Sequence, residues 1–350
     1  MRQYLSKLKS ASRSLLDGNL FGLPKRDLEA GLLGQKPFML TVEDGVVPLS
    51  FRRGTTDTLI VNFHGAVDKT RRTLPVFPQH NRFNAPSPHQ LAISDPTMLV
   101  EGDFGVCWYA GHEGFDTQAA ILRIIADCLP ILKVQQVIFM GGSAGGFAAL
   151  HASFHFADSY AVVAGAQTNL DRYSLSRKPG YRKAVWPSLP PKSPLAEVTG
   201  ANLCKLYDTP MTNNVVMLYS AGDSVHVEKH MLPFAAVMAR HPSDRFVLES
   251  GFWGVEGHSG AVPPLLLNDW LRAIIRNPGA SPTSLLPYVH EIRIARGVAP
   301  GEKGSFVISD DPEEAKPAAP PPKAAAGFAQ RDVETAARLA KLMAGPGGPK

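Results

Sequence analysis

Val137-Ile138-Phe139-Met140-Gly141-Gly142-Ser143-Ala144-Gly145-Gly146-Phe147-Ala148-Ala149-Leu150 is the stretch that decides the fold. Its first four residues form a continuous apolar run suited to a buried strand, and its last four open a helix of small apolar residues. Between them stands Gly-x-Ser-x-Gly. A strand that passes into a helix through so short a turn forces strained dihedrals on the serine, and its neighbours must be small because strand and helix nearly touch. The turn pushes the hydroxyl outward, where a base reaches it. The helix start aims unpaired amides and its positive dipole end at the same point, which favours an oxyanion. A phosphate-binding Walker loop would need a lysine before the serine, and none is present. A dinucleotide fingerprint would open a βαβ unit near the start of the domain, whereas this turn ends the third of the strands read from the sequence.

Working outward, the strand pattern repeats. Leu59-Ile60-Val61-Asn62-Phe63, Met98-Leu99-Val100, Val137 to Met140, Ala161-Val162-Val163-Ala164, Val215-Val216-Met217-Leu218-Tyr219 and Phe246-Val247-Leu248 are apolar enough for burial on both faces. Helices are expected at Thr117 to Leu129, where Pro130 stops the run, at Phe147 to Phe156, and at Pro264 to Ile275. Strands alternating with helices predict an α/β fold with a mostly parallel central sheet flanked by helices, over about residues 38–280. A proline-rich stretch at about 170–210 reads as a cap-like insertion, and its Arg172, Arg177, Lys178, Arg182 and Lys183 are expected to favour an anionic substrate. Residues 1–37 begin as a basic helical segment suited to peripheral contact with a membrane surface or partner. Residues 281–310 form a C-terminal extension, and 311–350 a Pro/Ala-rich tail expected to be disordered around a short helix from Ala329 to Met343.

Composition narrows the classes. The 350 residues are 44% hydrophobic and 19% charged, which is a globular balance. A net charge of +5 is small for this length, and without a nucleic-acid-binding motif it argues against such a partner. No run approaches the apolar length of a membrane span, and Lys7, Lys9 and Arg13 interrupt the start, against a secretory signal. Cys107, Cys128 and Cys204 are an odd number without metal or disulfide spacing, so reduced thiols and a cytoplasmic location are expected. His226, Glu228 and His230 lack the His-Glu-x-x-His order, and neither a metal nor a cofactor is expected.

The serine turn resembles that of the α/β-hydrolase superfamily. That resemblance implies an oxyanion loop upstream, then an acid and a histidine downstream in the order Ser, Asp, His. Phe63-His64-Gly65-Ala66-Val67 looks like the loop, with the amides of Ala66 and Ala144 as the oxyanion donors. Ser220-Ala221-Gly222-Asp223 stands at a strand end where the superfamily places its acid, with Asp208, Asp244 and Glu249 as competitors. Glu256-Gly257-His258-Ser259-Gly260 follows the last strand, where it places its base. The implied chemistry is nucleophilic: His258 takes the Ser143 proton, Asp223 orients and stabilises the imidazole, and an acyl-serine forms. Trp108, Tyr109, Phe252 and Trp253 are expected to line the acyl or sugar site.

A narrower resemblance rests on Gly141 to Leu150, on Phe63 to Val67 and on Gln167-Thr168-Asn169-Leu170-Asp171-Arg172-Tyr173. These segments are similar to bacterial α/β-hydrolase-like proteins associated with capsule and other surface-glycan biosynthesis, including relatives of the accessory Sec protein group. It implies a small-molecule or glycan ester as substrate. Transfer of the acyl group to a sugar hydroxyl, and a catalytically silent scaffold, remain as alternatives.

Overall fold

The computed structural model describes residues 25–296, apart from 35, 79–82, 84–85, 254–256 and 258–261. The basic start of the chain, the Pro/Ala-rich tail and His258 lie outside the described residues.

Eight strands form one sheet: β1 Phe38–Val42, β2 Gly45–Arg52, β3 Thr58–Phe63, β4 His89–Ile93, β5 Gln136–Gly142, β6 Tyr160–Ala164, β7 Asn214–Ser220 and β8 Phe246–Gly251. Their order across the sheet is β1-β2-β4-β3-β5-β6-β7-β8. β2 runs antiparallel to both β1 and β4, and every later pair is parallel. All six residues of β3 and all seven of β7 are buried, as their near-continuous apolar sequences require for a sheet covered on both faces.

Alternate side chains serve opposite layers. Leu59, Val61, Val137 and Phe139 point into one core with helices α1 Lys25–Leu33, α2 Thr117–Leu132 and α3 Ala144–Ser153. Ile60, Ile138, Val162 and Val216 point into the other, packed by Leu271 and Ile274 of α4 Pro264–Arg276 and Val289 and Ile292 of α5 Leu286–Arg296. The apolar periodicity of the central strands therefore fixes both layers at once.

Two expectations change. Met98-Leu99-Val100 is not a strand. Asp95 accepts a hydrogen bond from the Thr97 amide and Pro96 follows it, so Pro96–Leu99 winds into a 3₁₀ helix, and the strand beside β3 is His89–Ile93. His89 and Gln90 disguise that strand, although both are buried. The second change concerns Pro130, which does not stop α2. The helix continues to Leu132 and closes at Lys133 in the left-handed region, φ 56°. So close to the end, the proline removes a single helical hydrogen bond.

The stretch 170–210 is packed down rather than free. Leu170, Val185, Leu195, Leu203 and Tyr207 are completely buried in the first core. Arg182 is buried too, and its guanidinium donates to the carbonyls of Pro190 (3.2 Å) and Ser193 (2.6 Å), so it staples this segment and is not available to a substrate. Lys178 and Lys183 are exposed.

Candidate active site

Ser143 occupies the turn between β5 and α3 with φ 54° and ψ −117°. A side-chain-bearing residue adopts such a φ only where its surroundings impose it, at a cost of about 1–3 kcal/mol. The surroundings do so here. The Ser143 amide donates to the Ala164 carbonyl of β6 at 2.9 Å. A Cβ on Gly145 would lie 2.3 Å from the Phe63 carbonyl oxygen, and one on Gly141 2.2 Å from the Gly145 backbone, so helix and strand interlock through glycine alone. The serine stands, half-buried, past the carboxyl end of a central parallel strand, where open α/β sheets present their ligand sites. The fold is α/β-hydrolase-like.

In this α/β-hydrolase-like frame the loop after β3 lies against Ser143, since a Cβ on Gly65 would be 3.2 Å from the Gly142 carbonyl oxygen and 3.8 Å from the Ser143 Cβ. Ala66 is exposed and Ala144 begins α3. His64 holds the loop from behind. Its Nδ1 donates to the Gly65 carbonyl (2.7 Å), and its Nε2 accepts from the Asp95 amide (3.0 Å). Burial lowers its pKa, which suits a neutral, structural imidazole. Tyr109 braces the same loop by accepting from the His64 amide at 2.7 Å and donating to the Ile93 carbonyl at 2.9 Å.

Asp95 is fully buried beneath this loop, with amides of Thr97 (3.0 Å) and Tyr109 (2.7 Å) on its carboxyl oxygens. Desolvation outweighs these bonds and raises its pKa from 3.8 to about 6. Between those values the folded state keeps a proton that the unfolded chain releases, so this group makes stability fall as pH rises from about 4 to 6. The loss is about 3 kcal/mol. Asp95→Asn should remove that slope: between pH 4 and 7 the wild-type unfolding free energy should fall by about 3 kcal/mol relative to that of the variant. Parallel curves would exclude the effect.

A second polar network runs to Ser143. Asp223 follows β7 and caps the short helix Ser224–His226, accepting from the His226 amide at 3.1 Å. Its carboxylate also meets His226 Nδ1 at 3.0 Å. His226 Nε2 faces the Nε2 of Gln167 at 2.8 Å, and that amide nitrogen donates to Ser143 Oγ at 2.8 Å. Trp108 Nε1 donates to the Gln167 Oε1 at 3.2 Å. The chain of contacts is Trp108, Gln167, then Ser143 on one side and His226 with Asp223 on the other.

Among the acids that competed with Asp223, Glu249 is held by Arg293 (2.9 Å) and Trp270 (2.9 Å). Asp208 pairs with Arg240 at the surface (2.8 Å). Phe252 and Trp253 are half-buried after β8. Trp108 and Tyr109, expected to line a substrate, are 1% and 2% exposed and serve the two networks instead. His230 Nδ1 accepts from the Thr168 amide (3.2 Å) and burial pushes its pKa down to about 3. Among the described residues no group of three or more His, Cys, Asp or Glu is arranged to hold a metal. Gln167 is the residue of this network to which sequence reasoning gave no site role. Its signal was a polar residue just past the carboxyl end of the strand beside the one that leads into Ser143.

No protein-family model and no curated protein matches the chain. Solved structures do. A capsule O-acetyltransferase of Neisseria meningitidis serogroup A is 14% identical over 68% of this chain and 94% of its own, with a TM-score of 0.49. The glycosylation-associated Gap123 complex from Streptococcus agalactiae is 15% identical over 71% and 48%, TM-score 0.47. FphF, a fluorophosphonate-binding serine hydrolase of Staphylococcus aureus, is 14% identical over 73% and 97%, TM-score 0.40. No helix among the described residues is long and apolar enough to cross a membrane.

Proposed function

We propose that the protein is a serine hydrolase that cleaves carboxylic esters through an acyl-Ser143 intermediate, on a surface glycan or its precursor. The observation that carries this reading is Ser143 itself, held at φ 54° in the turn from β5 into α3, with its Oγ hydrogen-bonded into a buried polar network that ends on Asp223. Strain of that kind is maintained where a hydroxyl must stand clear of the turn.

His258 is the proposed base, and Asp223 the acid that orients it and stabilises its positive charge. As His258 takes the hydroxyl proton, Oγ attacks the ester carbonyl and the oxygen of that carbonyl becomes an oxyanion. The amides of Ala66 and Ala144 are proposed to receive it. The alkoxide leaves with the proton from His258, and water repeats the sequence to release the acid and free Ser143. The glycan substrate is supported by the sequence likeness in Gly141 to Leu150 and Gln167 to Tyr173.

A fluorophosphonate probe tests the reading. The purified protein should be labelled on Ser143, and both Ser143→Ala and His258→Ala should fall to background. A folded wild type that resists labelling would overturn the reading. Product analysis with an acetyl ester, in water and then with added sugar, separates release of free acid from transfer to a hydroxyl.

A further inference from the structure

We propose that Gln167 is a positioning residue for the nucleophile: its carboxamide, locked by Trp108, turns the Ser143 hydroxyl proton away from itself and fixes His226 in one tautomer against Asp223. This rests on Ser143 being the nucleophile.

The assignment follows from donor and acceptor chemistry. An indole N–H only donates, so the Gln167 atom facing Trp108 Nε1 at 3.2 Å is the oxygen. The amide nitrogen is therefore the atom 2.8 Å from both Ser143 Oγ and His226 Nε2. It has two hydrogens and no lone pair to offer, so both partners must accept. Ser143 Oγ accepts from Gln167, and its own proton points away from Gln167. His226 Nε2 presents its lone pair, so its proton sits on Nδ1 and is donated to Asp223 at 3.0 Å.

Two consequences bear on reactivity. The hydroxyl is held in one orientation before a substrate arrives, and misplacement of a reacting atom by about 1 Å costs about 100-fold in rate. The amide donor also favours the negative charge that grows on Oγ as its proton departs. The surroundings maintain this arrangement at a cost. Gln167 is 1% exposed, and its amide N–H is a further tie to the Ser143 carbonyl at 3.3 Å. Trp108 and Tyr109 both adopt positive φ, 57° and 56°, which bulky residues rarely do. That backbone carries the indole onto Gln167 and the phenol onto the oxyanion loop. Tyr173 packs across both Trp108 and His226, with ring centroids 5.8 Å from each, and so spans the two ends of the bridge.

The test compares wild type with Gln167→Met, which keeps the shape and removes the donors, and with Gln167→Glu, which replaces donors by acceptors. Labelling by a fluorophosphonate should slow about 100-fold in Gln167→Met, and further in Gln167→Glu because the carboxylate draws the serine proton toward itself. His226→Ala should slow labelling by about 10-fold without abolishing it, as a residue acting through Gln167 would. Nitrogen-15 spectra of the histidines, with His226 assigned by its loss in His226→Ala, should place its proton on Nδ1 in wild type and on both nitrogens in Gln167→Glu. Labelling of Gln167→Met at the wild-type rate would overturn the proposal, as would a wild-type His226 protonated on Nε2. Complete loss of labelling in His226→Ala would also overturn it, by making His226 the base itself. Absence of labelling in wild type would refute the nucleophile instead, and the His226 spectrum would still decide whether Gln167 bridges. The same spectrum decides the matter if Gln167→Met does not fold.

Discussion

Asp223→Asn should lower turnover of a chromogenic acetyl ester by about 10⁴-fold, the scale set by loss of the acid from a serine triad, while the protein should melt close to wild type. The asparagine separates two duties that the aspartate combines. As a cap, Asp223 accepts from the His226 amide at 3.1 Å, and asparagine serves that position equally well. As a charge, it lies 3.0 Å from His226 Nδ1 and is the proposed partner of His258, where an uncharged amide offers no stabilisation to an imidazolium. Asp223→Ala should lose the same activity and, in addition, about 1 kcal/mol of stability with the cap. Steady-state kinetics alongside thermal melts read both effects. An asparagine variant within tenfold of wild type would remove Asp223 from the chemistry.

Gly145→Ala should destabilise the protein by about 3 kcal/mol or more, and the fraction that folds should not be labelled. The added Cβ would meet the carbonyl oxygens of Phe63 at 2.3 Å and His64 at 2.8 Å. Those are backbone atoms at the end of β3 and the start of the loop that follows it. Relief requires moving α3 away from the sheet, which takes Ser143 and the Ala144 amide out of line together. Gly142→Ala is the matched control, because its Cβ would come no closer than 3.6 Å to the Ala164 carbonyl oxygen. Chemical denaturation of the two variants should therefore differ sharply although the glycines are three residues apart. Equal stability would mean that helix and strand are not interlocked here.

Much of this architecture was legible in the chain. Five of the six strands read from apolar runs are present: four of those runs are almost wholly buried between the two helical layers, and Phe246 to Leu248, at the sheet edge, is half-buried. The serine turn was legible for a related reason. Glycines at 141, 142, 145 and 146 around a lone serine encode a backbone path that few other residues can follow. His64 stands in the segment whose sequence resembles an oxyanion loop, and the two hydrogen bonds of its ring hold that loop in place.

Other features belong to tertiary structure. His89–Ile93 could not be recognised by composition, since its polar residues are buried by neighbours on both sides, β3 and β2, that lie far from it in sequence. Trp108 and Tyr109 looked like substrate-facing aromatics because exposed and buried aromatics have the same letters. Only their left-handed backbone and their contacts give them to the core. Gln167 meets both Trp108 and His226 across 59 residues of sequence. By itself, then, the sequence determined the parallel strands on either side of Ser143 and the turn that presents it, because both are set by local burial and local backbone sterics. The tertiary structure decided which polar side chains reach that serine, because hydrogen bonds between distant segments depend on where the completed sheet delivers each donor and acceptor.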